Sequence, residues 1–187
     1  MKIYTRTGDD GTTGLLFGGR VAKDSSVIEA NGAIDEAQAA LGVVRAETEP
    51  GSELDDILVG LERDLYVLMA EVATDGSNRL KLKPGVSLAT EQMVDGLESL
   101  IDQLSGRFPP IKDFVVPGHD RVSAALDMAR TVTRRAERAA LGVFPRAEPI
   151  GSNVGAYLNR LSDLLWTMAR WQEHADSLLS RKARPTT

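Results

Sequence analysis

Apolar residues recur at helical spacing in five separate stretches of this chain, and this repetition limits the folds open to it. In the second stretch Leu54, Leu58, Leu61, Leu65 and Leu68 follow one another every three or four residues, which places them on one face of a helix. A helix with one apolar face buries it against other elements. The pattern therefore predicts an all-α fold, a five-helix up-and-down bundle.

Turn-forming residues divide the five stretches. Pro50-Gly51 ends the first stretch, and Ser52 can cap the second helix by accepting a backbone N–H. The apolar run 113–118 is read either as a strand or as a buried loop, and 79–86 is read as a loop. The helices are expected to begin near Val27, at Ser52, between Ser87 and Thr90, near Val122, and at Ser152 or Asn153.

Length and charge narrow the class of protein. The 187 residues fit one domain, which we divide into an N-terminal loop (1–24), a helical bundle (25–179) and a polar tail (180–187). A net charge of −5 argues against general attraction to nucleic acid or to an anionic membrane. The chain has no apolar run of about 18 residues that could span a membrane. The absence of cysteine excludes disulfides and Cys-ligated metals, so a cytoplasmic protein is expected.

Three separated stretches have the composition of one triphosphate site. Residues 5–13 form a loop rich in hydroxyls and glycine, which exposes backbone N–H groups to an anion. Arg130, Arg134 and Arg138 lie at i, i+4 and i+8, so they share one helical face and can follow a chain of phosphates. Residues 157–163 add the amide of Asn159 and the carboxylate of Asp163 from another helix.

Each stretch also has a plain structural interpretation. The opening loop fits an ordinary turn about as well as a phosphate contact, although Arg20 and Lys23 behind it favour an anion. Between residues 130 and 138, four arginines and one glutamate give +3, a charge that Asp35-Glu36, a triphosphate, or both can balance. Residues 159–163 alone fit the polar rim of a helix.

In their order, these segments resemble the PduO-type ATP:cob(I)alamin adenosyltransferases. The similar segments are 4–13, 20–23, 32–36, 114–118, the arginine helix and 158–163. The resemblance implies a ferritin-like five-helix bundle that forms a homotrimer with intersubunit active sites. It also implies transfer of the 5′-deoxyadenosyl group of ATP to the cobalt of cob(I)alamin, which gives adenosylcobalamin and triphosphate. Reduced cobalamin is itself the nucleophile, so the protein supplies positioning and charge stabilisation.

The resemblance assigns residues to the reaction. Mg²⁺ accompanies ATP as cofactor, and Glu137 contacts the nucleotide through metal or ribose. The catalytic residues implied are Arg134, Phe114, Arg130 and Asp35, and the last three also bind cobalamin. The ATP-binding residues implied are Thr5, Thr7, Gly8, Asp10, Gly11, Thr13, Lys23, Arg134, Glu137, Arg138 and Asn159.

The resemblance places three of these residues on the cobalamin side of the site. Phe114 either packs in the core or excludes water below the corrin. Asp35 and Arg130 match a pair that bridges subunits in the family. The chain departs from the family pattern at His119, Asp120 and Asp127, close to the expected corrin face.

Two alternatives to the enzyme stay open. These departures allow a noncatalytic nucleotide or cobalamin sensor, and the charge pattern allows a structural trimer whose arginine helix only pairs with Asp35-Glu36. For the enzyme, the resemblance further implies an electron-donating reductase and a cobalamin-dependent acceptor enzyme as partners.

Overall fold

The computed structural model describes residues 3–144 and 151–175, and over these residues the all-α prediction is confirmed. Segment 145–150, the bundle limit expected at 179 and the tail 180–187 lie outside the described residues. The helices are α1 (Ser26–Ala46), α2 (Glu53–Val72), α3 (Glu91–Ser105), α4 (Arg121–Leu141) and α5 (Val154–Ala175).

The helices alternate in direction. The end of α1 meets the start of α4, where Arg121 Nη1 lies 3.9 Å from a Glu47 carboxylate oxygen. Arg107, just beyond the end of α3, pairs with Glu53 at the start of α2 at 2.7 Å. Helix α1 packs on α2 and α4, while α5 packs on α4 and α3. The bundle therefore runs up and down.

Helix caps form near the residues that the sequence indicated. Ser52 accepts the backbone N–H three residues on at 3.2 Å, and Thr90 does the same at 3.3 Å. At the start of α5, Ser152 accepts the backbone N–H two residues on at 3.2 Å. Asn153 instead donates its amide to the Ala89 carbonyl at 3.1 Å, which ties α5 to the start of α3.

The core is centred on α5. Leu158, Leu161 and Leu165 are fully buried there, as the apolar stripe predicts. Each such side chain stabilises the fold by about 1.5–3 kcal/mol relative to an exposed one. Tyr157 is also fully buried, and its hydroxyl donates to Asp64 of α2 at 2.8 Å.

Segment 79–86 is more ordered than a plain loop. A 3₁₀ helix spans Gly76–Lys81 and carries Arg79, which donates to the fully buried Glu71 of α2 at 2.9 Å. The other Glu71 oxygen accepts the Ala89 N–H at 2.7 Å. Glu71 therefore links α2 to the 3₁₀ helix and to the residues just before α3. A buried carboxylate without such partners would strongly destabilise the fold.

The N-terminal segment, predicted as a loop, contains a short hairpin. Strands β1 (Thr12–Gly14) and β2 (Arg20–Ala22) pair antiparallel, with Thr13 opposite Val21. The Leu16 N–H donates to the carbonyl of Ala73, just past α2, at 2.8 Å. Every residue from 3 to 24 is exposed or only half-buried.

Candidate functional site

The N-terminal loop is held by its own polar side chains. Asp10 Oδ1 accepts the Thr12 N–H at 2.9 Å and the Thr12 hydroxyl at 2.8 Å, and these bonds lower the pKa of Asp10. Arg20 Nη2 donates to the Thr7 carbonyl and to Thr12 Oγ1, both at 2.6 Å. The Thr5 and Thr7 hydroxyls lie 2.8 Å apart. The loop is thus preformed around its hydroxyls.

Lys23 lies against the loop because Gly8 has no side chain. A Cβ at Gly8 would stand 3.0 Å from Lys23 Nζ and 3.2 Å from the Thr12 carbonyl oxygen. The Lys23 N–H donates to the Gly11 carbonyl at 2.9 Å, which fixes the backbone below the ammonium group. The loop therefore presents a cation beside its glycines, as an anion site requires.

Two arginines of α4 face solvent. Arg138 donates to the Arg134 carbonyl at 2.9 Å, and both residues are exposed. Within the part of the chain that the structure describes, the Arg134 guanidinium has no hydrogen-bond or ion-pair partner. Arg135 pairs with Glu36 of α1, and this hydrogen bond raises the pKa of Arg135. Of the counterions that the sequence left open for this helix, Glu36 therefore balances Arg135.

Glu137 and Asn159 meet between α4 and α5. Asn159 Nδ2 donates to Glu137 Oε1 at 3.2 Å, and Asn159 Oδ1 accepts from Arg160 Nη1 at 3.2 Å. Arg160 Nε in turn donates to Glu98 of α3 at 2.7 Å. The structure thus brings together two of the predicted nucleotide residues and adds Arg160 and Glu98, which the sequence did not mark as site residues.

The predicted groups form separate sets within one chain. Over residues 3–144 and 151–175, no hydrogen bond or ion pair links the N-terminal loop to α4 or α5, and none links Asp35 to Arg130. Asp35 is exposed on α1, and Arg130 Nε lies 3.5 Å from Asp127 of its own helix.

Phe114 points to solvent. Its side chain is 88% exposed and Val116 is 45% exposed, so the buried-loop prediction for 113–118 is wrong, as is core packing of Phe114. The hydrophobic core and the partly buried side chains packed against it include none of residues 113–118, so this apolar run lies outside the core.

The carboxylates that depart from the family pattern have structural roles. Asp120 forms a capping box with Ser123 at the start of α4. Asp127, expected close to the cobalamin side, is 5% exposed and accepts from buried Arg170 at 2.7 Å. The sequence analysis missed this pair because it used only the apolar residues to define the buried face of each helix. Asp127 and Arg170 are polar and come one position after the apolar residues Leu126 and Ala169.

The described helices include none with a stretch both long and apolar enough to span a membrane.

The family model for cobalamin adenosyltransferase matches residues 3–172 of this chain. The corrinoid adenosyltransferase of Citrobacter freundii is 42% identical over 172 residues, which covers 92% of this chain and 95% of that protein. The corrinoid adenosyltransferase of Bacillus subtilis (strain 168) is 39% identical over 174 residues, covering 91% and 86%.

Solved structures share the fold. A variant of the PduO-type ATP:corrinoid adenosyltransferase from Lactobacillus reuteri, complexed with cobalamin and ATP, aligns with a TM-score of 0.87 at 28% identity, covering 98% of this chain and all of that one. A second variant of that enzyme, complexed with ATP, aligns with a TM-score of 0.84 at 28% identity, covering 97% and 100%.

Proposed function

This chain belongs to the cobalamin adenosyltransferase family, and from that premise we propose how its residues carry out the reaction. The protein is an ATP:corrinoid adenosyltransferase, which transfers the 5′-deoxyadenosyl group of ATP to the cobalt of cob(I)alamin and releases triphosphate. The observation that carries the residue assignment is the exposed Arg134 guanidinium, which has no partner within the described chain although charged neighbours on its helix do.

The chemistry needs positioning more than acid–base groups. Cobalt(I) donates its electron pair to C5′ of ATP, the Co–C5′ bond forms, and the C5′–O5′ bond breaks with its pair passing to the triphosphate oxygen. The cobalamin substrate supplies the nucleophile, so the protein aligns two substrates and stabilises the charge that leaves.

The triphosphate is bound between the loop and α4 in this proposal. Arg134 and Arg138 are one helical turn apart, about 6 Å along the axis, so they can contact different phosphates. Lys23 and the backbone N–H groups around Gly8 and Gly11 add donors from the loop, together with the hydroxyls of Thr5, Thr7 and Thr13. These fixed donors stabilise negative charge as it develops on the leaving group.

The residues present fit a Mg²⁺ ion that arrives with ATP. In the described residues, no group of three or more acidic or histidine side chains forms a metal cage. Mg²⁺ commonly takes one or two carboxylates and completes its shell with phosphates and water, so Glu137 alone suffices as a protein ligand. When bound, Mg²⁺ neutralises part of the triphosphate charge.

A homotrimer with active sites between subunits accounts for the separation of the site residues. Within the described chain no hydrogen bond or ion pair links the loop to α4, and none links Asp35 to Arg130. Exposed apolar side chains such as Phe114 and Met128, at 88% and 64%, suit contact with a neighbouring subunit or with cobalamin. A closed ring of copies lets one subunit's loop meet another's helix.

At the corrin side, Phe114 excludes water from the lower face of cobalamin, while Asp35 and Arg130 of adjoining subunits form the bridge that holds this face. The sensor alternative loses its main support, because Asp120 and Asp127 serve as a helix cap and a core ion pair. The cytoplasm is the proposed location, with a reductase that supplies the electron and a cobalamin-dependent enzyme that takes the product.

The test is an anaerobic assay with chemically reduced cobalamin and MgATP. Loss of cob(I)alamin absorbance should match release of triphosphate one for one, and omission of ATP should abolish both. Replacing ATP with ADP should yield no triphosphate. MgATP binding without turnover would instead support the sensor.

A further inference from the structure

We propose that Arg160, held by Glu98, is a positioning residue that fixes the orientation of the Asn159 amide in the nucleotide site. The inference rests on the proposed function, since it takes Asn159 as a contact for ATP. It adds two side chains, on α5 and α3, that do not themselves touch the nucleotide.

The neighbours of Asn159 allow only one orientation of its amide. Its Nδ2 lies 3.2 Å from Glu137 Oε1, and its Oδ1 lies 3.2 Å from Arg160 Nη1. A carboxylate only accepts hydrogen bonds and a guanidinium only donates them. A flipped amide would therefore set oxygen against oxygen and N–H against N–H, losing both bonds.

Arg160 reaches Asn159 because two carboxylates hold its guanidinium. Side chains at adjacent helix positions ordinarily point apart. Here Arg160 Nε donates to Glu98 Oε1 at 2.7 Å, and Nη1 also lies 3.3 Å from Asp163 Oδ2. The Glu98 hydrogen bond is the main cause that raises the pKa of Arg160.

The orientation leaves a defined group for the nucleotide. Asn159 uses one amide hydrogen on Glu137 and one lone pair on Arg160, and keeps a second N–H. That N–H can donate to an acceptor oxygen or nitrogen of ATP. The chain Glu98–Arg160–Asn159–Glu137 crosses α3, α5 and α4, so it joins the nucleotide site to a helix that carries none of the predicted site residues.

The experiment compares Arg160→Met with Arg107→Met. Arg107 is a matched control, since the two arginine side chains are 37% and 34% exposed, their glutamate partners 50% and 48%, and both N–O distances are 2.7 Å. Arg160→Met should raise the KM for ATP and the Kd for MgATP about 10-fold, because a hydrogen bond to a charged group is lost. The KM for cobalamin should change less than about 2-fold, and Arg107→Met should leave all three constants near the wild-type values.

A double-mutant cycle tests whether Arg160 acts through Asn159. In an Asn159→Ala background, Arg160→Met should have no further effect on the KM for ATP or the Kd for MgATP, whereas additive losses would overturn the inference. If Arg160→Met does not fold, Glu98→Gln replaces it and should raise both constants about 3-fold, with the same dependence on Asn159.

The two levels of proposal fail differently. Folded Arg160→Met with wild-type ATP constants, beside an impaired Asn159→Ala, overturns the positioning role alone. Asn159→Ala with unchanged ATP constants, or a wild-type protein that binds no MgATP, overturns the nucleotide site and this inference together.

Discussion

Arg170 Nη2 lies 2.7 Å from the Asp127 carboxylate, with the two side chains 1% and 6% exposed between α4 and α5. The same nitrogen lies 2.9 Å from fully buried Glu173. A buried guanidinium that faces two carboxylates satisfies charges that water cannot reach, and removal of one partner from such a set is strongly destabilising.

Arg170→Met should lower the free energy of unfolding by about 3–5 kcal/mol, because both carboxylates lose the cation they face. Urea denaturation followed by circular dichroism measures the change. Arg107→Met, which breaks an exposed pair, should shift the midpoint much less. Equal shifts in the two variants would contradict a special role for the buried pair.

Arg134→Ala should reduce kcat/KM for ATP by about 100-fold, as expected when a donor to a leaving anion is removed. Arg135→Ala is the control on the same helix, since Arg135 is engaged with Glu36. It should change kcat/KM by less than about 3-fold. Steady-state assays of both variants measure kcat/KM for ATP. A larger loss in Arg135→Ala than in Arg134→Ala would reverse the assignment of the two arginines.

Gly8→Ala should raise the KM for ATP about 10-fold, because its Cβ would meet Lys23 Nζ at 3.0 Å and move the ammonium group away from the loop. Gly14→Ala is the matched change, since its Cβ would have its nearest contact at 4.0 Å. We expect Gly14→Ala to bind ATP as the wild type does. Indistinguishable KM values for the two variants would show that crowding at Gly8 does not displace the Lys23 ammonium group from the ATP site.

Phe114→Ala should leave the free energy of unfolding within about 0.5 kcal/mol of the wild type, because the ring is 88% exposed. Its kcat/KM for cobalamin should fall about 30-fold, as for an aromatic side chain central to a contact. Tyr66→Ala, at 65% exposure on α2, should leave both quantities unchanged. A cobalamin constant unaffected by Phe114→Ala would exclude Phe114 from the corrin face.

Asp64 should make stability depend on pH. Burial raises the pKa of its carboxyl above 3.8, although the Tyr157 hydrogen bond partly opposes this rise. The folded state then binds the proton more tightly, so this contribution to stability is full below pH 3.8 and is lost as pH rises through the folded pKa.

Asp64→Asn keeps an oxygen acceptor for Tyr157 but cannot ionise. The free energy of unfolding of Asp64→Asn minus that of the wild type should therefore be largest at pH 7. This difference should decline as the pH is lowered toward about 4. Denaturation curves at several pH values measure this difference. A difference independent of pH would show that the carboxyl is not perturbed by folding.

The helices could be predicted because their signals are local. The leucine stripe of α2 and the Ser52 cap depend on residues three or four apart, and the structure places both as expected. The same locality explains why Arg134 and Arg138 were found on one exposed face.

Contacts between distant residues were not predictable in the same way. The Asp127–Arg170 pair spans 43 positions, and the Glu98–Arg160 bond spans 62. Nothing in the spacing of either residue within its own helix selects the partner. Apolar character alone could not choose between the two roles of Phe114, since it does not say whether the core has room for a side chain; the 88% exposure excludes only core packing within this chain.

The N-terminal hairpin is joined to α2 through the Leu16 N–H, and its residues gain little from burial. Such an element opens with a smaller free energy than helices that share a core. Under the proposed assignment ATP binds only the closed form of this preformed hairpin, so any opening in the free protein lowers the apparent affinity for ATP. A substitution that stabilises the closed hairpin would then tighten ATP binding without adding a contact to the nucleotide.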